Sequence, residues 1–357
     1  MLQFPSEPKP GTHVVRHLLA QLRRHPKRVV FTEGEDIRVI QAASRLVAEE
    51  VVAPILLGNK ERIRAIAGEH DVSLKYIHLI DPPKASDFDL FISRVTNMAR
   101  YRSAKNLSPA EIVSRPQYFG ALMVQYGQAD AIVGGNQITP AGYFRALLNT
   151  IKPLPHVPKI FGVSLIVGPH LKNLGGSGLL LMADCALNPN PGVEELSSFA
   201  IETGKLAQHL LGRKVLVAML SHSTKGSAGT PDAKRIAAAA SLARDKAQKE
   251  FLDIDIEGEL QADVALDPAA AEIKLPAADV RPTADVLIHP NLDAAHITLK
   301  ILRHVAGSQN YGQLVMGLSR PAAQVPRTAS VEHIFGTAAI VAVEAIKYHQ
   351  LYPQSDF

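Results

Sequence analysis

The fold is decided by the stretch Arg28-Val-Val-Phe-Thr-Glu-Gly-Glu-Asp36, in which an apolar strand pattern ends in a short polar turn. A helical pattern then continues to about Glu50, and Ala53-Pro-Ile-Leu-Leu57 repeats the strand pattern before Gly58. Strand, turn, helix and strand in this order are typical of parallel strands joined by helices. The stretch therefore predicts an α/β fold with a mostly parallel sheet.

The same alternation extends in both directions along the chain. An amphipathic helix over residues 13–24, with Thr12 as its N-cap, comes before the first strand. Further strands are predicted at Tyr76–Ile80, Ala129–Val133, Ile160–Val167, Gly178–Ala183, Lys214–Leu220, Val286–His289 and Gln313–Met316. Helical patterns lie between most of these strands, which indicates helices packed on the faces of the sheet.

The composition excludes several classes of protein. Of the 357 residues, 46% are hydrophobic and 20% are charged, which is typical of a globular chain with a large core rather than of a disordered one. The net charge of +4 is too small for the basic surface of a dedicated nucleic-acid binder. Aromatic residues make up 5% and include no Trp, so stacking platforms for bases are scarce. We therefore expect no nucleic-acid partner.

Two features bear on the compartment in which the protein works. The N-terminus lacks the apolar core of a signal peptide, and no run approaches the roughly 18 uninterrupted apolar residues of a membrane span. The single cysteine, Cys185, cannot form an intramolecular disulfide, which is typical of a reducing compartment. We therefore expect a cytoplasmic protein with no membrane role.

The length of the chain predicts two domains, since single domains commonly hold about 100–200 residues. The stretch Ile151–Pro158 contains three prolines, which exclude the interior of a helix or a central strand. It therefore marks a candidate domain boundary.

Polar residues directly after predicted strands are candidate ligand-binding residues, because parallel sheets bind ligands at the carboxyl ends of their strands. Four such stretches stand out, namely Glu33–Asp36, Gly134–Asn136, Asp184–Pro191 and Ser221–Gly229. The last is richest in hydroxyl groups and glycines, and Pro231 can begin the helix behind it, so it is a candidate phosphate cradle. Its candidate ligands are the hydroxyl groups of Ser221, Ser223, Thr224 and Ser227. The alternative is a polar turn with ordinary helix caps.

Other catalytic chemistries receive little support from the residues. Ser221 and His222 are adjacent and point in different directions, which disfavours a serine-protease arrangement. Cys185 follows a predicted strand, but a lone small thiol is more typical of packing than of a nucleophile. The pair His13 and His17 lacks an evident third ligand and no H-E-x-x-H motif occurs, so we expect no metal site.

Six segments, taken in order, carry a resemblance to a known family. They are Phe31-Thr-Glu-Gly-Glu-Asp-Ile-Arg38, Asp184-Cys-Ala-Leu-Asn-Pro-Asn-Pro191, Leu220-Ser-His-Ser-Thr224, Glu257-Gly-Glu-Leu-Gln261 with Asp263, His289-Pro-Asn-Leu-Asp293 and Gly312–Pro321. They resemble the corresponding segments of the phosphate acetyl/butyryl transferase family, and the match covers roughly Lys27–Ile346.

The resemblance implies a two-domain α/β fold like that of the isocitrate and isopropylmalate dehydrogenases. In that fold the active cleft lies between the domains, and the usual assembly is a homodimer. The resemblance also implies a discontinuous first domain, residues 1–152 plus 312–357, and a second domain of residues 153–311. The proline-rich stretch, found independently, lies at the first of these boundaries.

The family reaction converts acyl-CoA and phosphate into acyl phosphate and CoA, so the resemblance implies small-molecule substrates and no permanently bound cofactor. In the reverse direction, a base removes the thiol proton of CoA and the thiolate attacks the acyl carbonyl, without a covalent enzyme intermediate. Arginines suit the phosphate because their planar fork donates two hydrogen bonds. The resemblance assigns catalysis to Arg327 and binding of phosphate or of CoA to Arg102, Arg145, Arg303 and His304.

The C-terminal signature departs from the family pattern at the positions of the chemistry. Family members typically read Pro-[VI]-Asn-Asp-Leu-Ser-Arg-Gly, whereas this chain reads Pro321-Ala-Ala-Gln-Val-Pro-Arg-Thr328. Pro326 replaces a serine hydroxyl that donates to the oxyanion, a kind of contact whose loss can cost about 3–4 kcal/mol. His333 replaces the general-base aspartate and could act as the base, since imidazole titrates near neutrality. The alternative is a surface histidine on the last helix.

Three hypotheses about function follow. The first is a phosphate acyltransferase, in particular a phosphate acetyltransferase of acetate metabolism, and we adopt it as the prediction. The second is a catalytically degenerate module that binds acetyl-CoA as a regulatory signal, because the chain is also similar to the transferase-like C-terminal domains of multidomain malic enzymes. The third keeps the fold but changes the reaction to that of a related dehydrogenase, and failure to bind a nicotinamide cofactor would exclude it.

Overall fold

The computed structural model describes residues 12–98, 107–168, 171, 178–275, 283–346 and 348, and the predicted site residue Arg102 lies outside them. Contacts divide the chain into two compact units. Unit 1 comprises Met1–His17 and His156–Asn310, and unit 2 comprises Leu18–Pro155 and Tyr311–Phe357. As folding domains, we propose residues 1–152 plus 312–357 and residues 153–311.

Strands and helices alternate along most of the described chain. The strands are β1 (Lys27–Phe31), β2 (Val52–Leu57), β3 (His78–Ile80), β4 (Ala131–Gly134), β5 (Phe161–Val167), β6 (Leu179–Ala183), β7 (Val215–Leu220), β8 (Ile254–Leu260), β9 (Val286–Ile288), β10 (Gln309–Met316) and β11 (Ala322–Gln324). The α-helices are α1 (Thr12–Arg24), α2 (Ile37–Ala48), α3 (Lys60–Glu69), α4 (Phe88–Asn97), α5 (Pro109–Val113), α6 (Pro116–Gln125), α7 (Pro140–Thr150), α8 (Val193–Leu211), α9 (Pro231–Lys249), α10 (Ala262–Leu266), α11 (Pro268–Lys274), α12 (Leu292–His304) and α13 (Val331–Ile346). Within this described part, every helix is too short or too polar to cross a bilayer.

In unit 2 the strands lie in the order β3-β2-β1-β4-β11-β10, and all neighbours are parallel except β11 and β10. The register pairs Phe31 of β1 with Val133 of β4, and Val133 with Ala323 of β11. The carboxyl ends of these three strands therefore lie side by side at one edge of the sheet. α6 and α13 pack against β1 and β4 and leave that edge to the loops.

In unit 1 the strands lie in the order β5-β6-β9-β7-β8, and all neighbours are parallel except β5 and β6. Ile288 of β9 pairs with Ala183 of β6 and with Met219 of β7, so the carboxyl ends of these strands also share an edge. α8 and α9 pack against each other and against β7 and β8. Both units thus have the arrangement in which parallel sheets bind ligands.

The predicted α/β class with a mostly parallel sheet is confirmed, and every strand predicted from the sequence is present. Two strands, β8 and β11, are not predicted from the sequence. β8 reads Ile-Asp-Ile-Glu-Gly-Glu-Leu and lies at an edge of the order, where charged residues are tolerated and hide the apolar pattern. β11 is three residues, Ala-Ala-Gln, which is too short for a periodic pattern and has little strand preference.

The core of unit 1 contains a histidine at the carboxyl end of β9. His289 is 4% exposed. Burial lowers the pKa of His289 to about 4, because the charged imidazolium would lose its hydration. The ring is therefore neutral in the folded protein near pH 7.

Replacing His289 with Leu is expected to raise the free energy of unfolding by about 1–3 kcal/mol, because the buried imidazole loses its hydration on folding and a leucine side chain has none to lose. In the unfolded wild-type chain, His289 takes up a proton near pH 6.5, whereas in the folded protein the same side chain does so only near pH 4. Stability should therefore fall as the pH drops from 6.5 towards 4. Urea unfolding at neutral and at mildly acidic pH measures both effects.

The exposed residue His78 provides the control. The His78→Leu variant should keep the acid sensitivity of the wild-type protein, whereas His289→Leu should lose part of it. Equal acid sensitivity in His289→Leu and wild type would show that another group is responsible.

Candidate active site

Three loops of unit 2 follow neighbouring strands and meet at the carboxyl edge of the sheet. They are Thr32–Asp36 after β1, Gly134–Gln137 at the end of β4 and Gln324–Arg327 at the end of β11. The N–H of Thr32 donates to the carbonyl of Val133 at 3.2 Å, and the N–H of Val325 donates to the carbonyl of Gly134 at 2.8 Å. We call these three segments the three-loop cluster.

Asp36 lies at the centre of the three-loop cluster and is 8% exposed. As the N-cap of α2, it accepts the backbone N–H of Arg38 at 2.8 Å, and it also accepts Nη2 of the same residue at 2.7 Å. From the second loop, it accepts the side-chain amides of Asn136, at 2.7 Å, and of Gln137. Burial opposes the charge on Asp36, but the hydrogen bonds from Arg38 and Gln137 outweigh it and lower the pKa of the carboxyl group. Asp36 therefore stays ionised and joins two loops.

Arg38 extends this network to the third loop. Its Nη1 donates to the carbonyl oxygens of Arg327, at 3.0 Å, and of Ala329, at 2.8 Å. The rigid guanidinium plane allows one side chain to hold Asp36 and both carbonyl groups at once. The backbone of Arg327 is thereby fixed, whereas its side chain is exposed. An exposed guanidinium on a fixed backbone is suited to bind a phosphate group from solution.

Glu33 lies in the same turn as Asp36, but its pKa is shifted in the opposite direction. Its Oε1 accepts the N–H of Gly135 at 2.9 Å, and its Oε2 accepts the hydroxyl of Thr32 at 2.6 Å. Burial outweighs these hydrogen bonds and, together with the negative charge of Asp36, raises the pKa of Glu33 to about 7. At neutral pH this carboxyl group is therefore present in both protonation states.

The close approach of the loops requires glycine at two positions. A Cβ at Gly134 would overlap the hydroxyl of Thr32 and lie 2.6 Å from the ring of Tyr143. Gly135 has a φ of +100°, a backbone conformation that favours glycine. The glycine pair after β4 is therefore a requirement of the cluster's packing.

His333 is buried on α13, with 5% exposure, so the surface alternative is wrong. Its Nε2 lies 2.8 Å from the carbonyl oxygen of Gly312. Because a carbonyl oxygen only accepts, Nε2 carries the hydrogen and only Nδ1 could take up a proton. The N–H of Gly312 donates to the hydroxyl of Thr337, one turn further along α13, at 2.9 Å. His333 and Thr337 thus both anchor α13 to β10.

The predicted phosphate cradle, Ser221–Gly229, lies in unit 1 after β7 and holds a carboxylate of its own chain. Oε1 of Glu259 accepts the hydroxyl of Ser223 at 2.9 Å and the N–H of Gly226 at 2.6 Å. Burial opposes the charge of Glu259, but these hydrogen bonds outweigh it and lower the pKa of the carboxyl group. Donors that the sequence analysis assigns to a phosphate are therefore directed at Glu259.

The other hydroxyl groups of this loop also bond within unit 1. Ser221 Oγ accepts the N–H of Ser223 at 3.2 Å, and Ser227 Oγ accepts the N–H of Thr224 at 3.0 Å. Oγ1 of Thr224 accepts the N–H of Gln261 at 3.0 Å. This geometry agrees with the alternative of a polar turn, and the exposed Ser227 is the hydroxyl residue of the loop that best reaches solution.

The remaining predicted binding residues do not gather in one place within their units. Arg145 is exposed on α7 of unit 2. Arg303 and His304 form the last turn of α12 in unit 1, about 18 Å along the helix from its start beside β9. They therefore lie at the far end of α12 from the edge that holds Ser221–Gly229. Of the binding and catalytic residues that the resemblance implies, Arg327 is the one that the structure places in the three-loop cluster.

Cys185 is buried in unit 1, and its Sγ donates to the carbonyl of Met182 at 3.4 Å. Burial raises the pKa of the thiol to about 12, which supports packing rather than nucleophilic chemistry. Nowhere in the described ranges do three His, Cys, Asp or Glu side chains come together in a way that could hold a metal ion.

The sequence pattern indicates Glu33–Asp36 and Gly134–Asn136 as candidate ligand-binding stretches, but it does not bring them together. The side chains that organise the three-loop cluster therefore receive no individual role from the pattern. The missing information is the strand order, since β4 follows β3 in the chain yet pairs with β1. Given that pairing, polar residues after two adjacent parallel strands must meet.

Known proteins are similar to this chain in sequence and in fold. The chain matches the family model described as phosphate acetyl/butaryl transferase over residues 13–342. It is 32% identical over 331 residues to a phosphate acetyltransferase of Acetivibrio thermocellus, which covers 93% of this chain and 98% of that relative. Among solved structures, it is similar to the EutD phosphotransacetylase from Staphylococcus aureus, with a TM-score of 0.84, 30% identity and coverage of 95% of this chain and 100% of that one.

A second solved structure is similar in fold alone. The 4-hydroxythreonine-4-phosphate dehydrogenase from Klebsiella pneumoniae has a TM-score of 0.52 and 13% identity, and the match covers 90% of this chain and 98% of that one. The predicted likeness of the fold to dehydrogenases is confirmed.

The variant Asp36→Asn is expected to lower the free energy of unfolding by about 2–3 kcal/mol, because Arg38 loses its buried charged partner. Asn is as good an N-cap as Asp, so the variant removes the negative charge but keeps the helix cap. Urea unfolding measures the loss. Asp232→Asn is the control, since Asp232 pairs with Arg235 at 3.2 Å but is exposed, and it should cost less than about 1 kcal/mol. Equal losses in the two variants would contradict the central role of Asp36.

The variant Gly134→Ala is expected to destabilise the protein by about 1–3 kcal/mol, because the added methyl group overlaps Thr32 and Tyr143. Gly68→Ala is the matched control on α3, where a Cβ meets nothing within 4 Å. That change should raise stability by about 0.5–1 kcal/mol, since alanine favours the helix. Thermal unfolding of both variants checks the opposite signs, and a stabilised Gly134→Ala would show that the loops are more loosely packed than described.

Proposed function

The chain belongs to the phosphate acetyl/butaryl transferase family, and we propose that it is a phosphate acetyltransferase that interconverts acetyl-CoA plus phosphate with acetyl phosphate plus CoA. The observation that carries the proposal is the exposed guanidinium of Arg327 on a backbone fixed by Arg38. A cation held in this way can bind the phosphate group and balance the charge that develops during transfer.

The proposed chemistry is direct acyl transfer between CoA and phosphate, without a covalent enzyme intermediate. In the direction of acetyl-CoA synthesis, the CoA thiol loses its proton and the sulfur bonds to the acyl carbon. The bond between that carbon and the phosphate oxygen breaks. Cys185 supports direct transfer, because a buried thiol with a pKa of about 12 is a poor acyl acceptor. A free thiol has a pKa near 8.5, so a base is needed to raise the thiolate fraction at neutral pH.

The positive charge for phosphate and for the phosphate groups of CoA comes, in this proposal, from Arg327, Arg145 and Arg102. The loop Ser221–Gly229 takes a smaller part than its sequence suggests, because several of its donors already bond to Glu259. Ser227, Arg303 and His304 remain candidate contacts for CoA. A homodimer in the cytoplasm is part of the same proposal.

The second candidate function is a module that binds acetyl-CoA without turnover. Pro326 favours it, since this residue stands directly before Arg327 and has neither a hydroxyl nor an N–H to donate to an oxyanion. His333 also favours it, because the residue is buried and its Nε2 donates to Gly312, so that nitrogen cannot remove a thiol proton. The same arginines would then bind acetyl-CoA and take no part in a reaction.

Purified wild-type protein is expected to release CoA from acetyl-CoA when phosphate is added. The variant Arg327→Ala should lower kcat/KM roughly 100-fold or more, because a neutral side chain cannot balance the charge on the transferring group. A thiol-reactive dye follows the release of CoA. Arg64→Ala removes an exposed arginine of α3 that pairs with Glu61, and this control should keep the wild-type rate.

The outcomes separate the two functions. Calorimetry that shows acetyl-CoA binding without release of CoA would favour the regulatory module. Full activity in Arg327→Ala would remove this residue from the reaction, and a wild-type protein that neither binds nor releases CoA would reject both functions.

A further inference from the structure

Glu33 is the acid of the three-loop cluster that is not paired with a cation. The other acids of its turn both pair with arginines, Glu35 with Arg62 at 3.1 Å and Asp36 with Arg38 at 2.7 Å. In the described part of the chain, no ion pair includes Glu33. Its oxygens accept hydrogen bonds from Thr32 and Gly135, whereas a carboxylate has about four lone-pair sites. Glu33 therefore keeps the capacity to accept a proton.

Glu33 and the loop of Arg327 are held against the same pair of glycines. The N–H of Gly135 donates to Glu33, and the carbonyl of Gly134 accepts the N–H of Val325 at 2.8 Å. Val325 precedes Arg327 by two residues. The cluster therefore places a carboxyl group and the proposed phosphate-binding guanidinium on neighbouring loops, at one edge of one sheet.

Two titratable groups act on Glu33 electrostatically. Asp36 carries a negative charge in the same turn, and Tyr143 faces Glu33 from α7. The hydroxyl of Tyr143 donates to the carbonyl of Ala323 at 3.1 Å, and burial raises its pKa well above the ordinary value, so it stays neutral. Burial and Asp36 bring the pKa of Glu33 to about 7, the range in which a general base works best at neutral pH.

Glu33 is better placed than His333 to accept a proton from a substrate. The Nε2 of His333 is a donor to Gly312, and the residue is 5% exposed. Both oxygens of Glu33 act as acceptors. A substrate bound by Arg327 would therefore have a proton-accepting carboxyl group in the same cluster.

We propose that Glu33 is the general base of the acyl transfer, a role that rests on the proposed function. In the direction of acetyl-CoA synthesis, the Glu33 carboxylate takes the thiol proton of CoA and the sulfur bonds to the acyl carbon. As the bond from that carbon to the phosphate oxygen breaks, Glu33 returns the proton to the departing phosphate. In the opposite direction, the same carboxylate takes a proton from inorganic phosphate and delivers it to the sulfur of the leaving CoA.

The test compares the wild-type protein with Glu33→Gln and with Glu61→Gln, a control at an exposed acid of α3 outside the cluster. Gln keeps the size of Glu and can still accept the N–H of Gly135, but it cannot take up a proton near neutrality. In wild type and Glu61→Gln, kcat for acetyl-CoA synthesis should rise with pH around a midpoint near 7, as Glu33 loses its proton. In Glu33→Gln, kcat should fall at least about 100-fold and that rise should disappear, with little change in KM for CoA.

Two further measurements keep the outcome interpretable. Thermal unfolding and acetyl-CoA calorimetry show whether Glu33→Gln is folded and binds its substrate. Should it fail to fold, Glu33→Asp takes its place, because a shorter carboxylate in the same turn should retain a reduced rate with a shifted pH profile.

Each result decides one of the proposals. A wild-type rate and pH profile in folded Glu33→Gln, or an unshifted profile in Glu33→Asp, would overturn the role of Glu33 and leave the proposed function intact. A wild-type protein that binds acetyl-CoA but does not transfer its acyl group would overturn both proposals.

Discussion

The carboxylate of Asp36 holds the candidate active site together. It is nearly buried, and a buried charge is costly unless charged and polar partners surround it. Those partners come from two loops. Arg38 also donates a hydrogen bond to the carbonyl of Arg327, which lies on the third loop. The three loops follow strands that are far apart in the chain but adjacent in the sheet. The network is therefore complete only when the strands have their correct order, which couples the geometry of the site to the fold.

The turn after β1 contains two acids whose surroundings move their pKa values in opposite directions. Asp36 accepts an arginine and two amides, which stabilise the carboxylate, whereas Glu33 accepts two neutral donors and is dominated by burial. Neighbouring acids with separated pKa values are a recurrent arrangement in acid–base catalysis. One of the two supplies a permanent charge that fixes the loops, and the other can exchange a proton without disturbing them.

Strand patterns were sufficient to predict the α/β class, because buried strands such as β5 and β7 are continuous apolar runs bounded by turn residues. Local patterns do not carry the strand order, and the site depends on it. The phosphate cradle was predicted from its hydroxyl groups and glycines, yet its donors serve Glu259, a partner more than thirty residues away in the chain. Arg327 was found through resemblance, whereas the side chains that position it, Asp36 and Arg38, become visible only once β1, β4 and β11 are adjacent.

The loop that binds Glu259 has a consequence for selectivity among anions. An intramolecular carboxylate competes with dissolved ions at an effective concentration of roughly millimolar or more, set by the short distance it can move. Free sulfate, chloride or stray metabolites must displace it before they reach Ser223 and Gly226. This loop of unit 1 is thus an anion receptor already filled by its own chain, and we expect it to bind dissolved anions weakly.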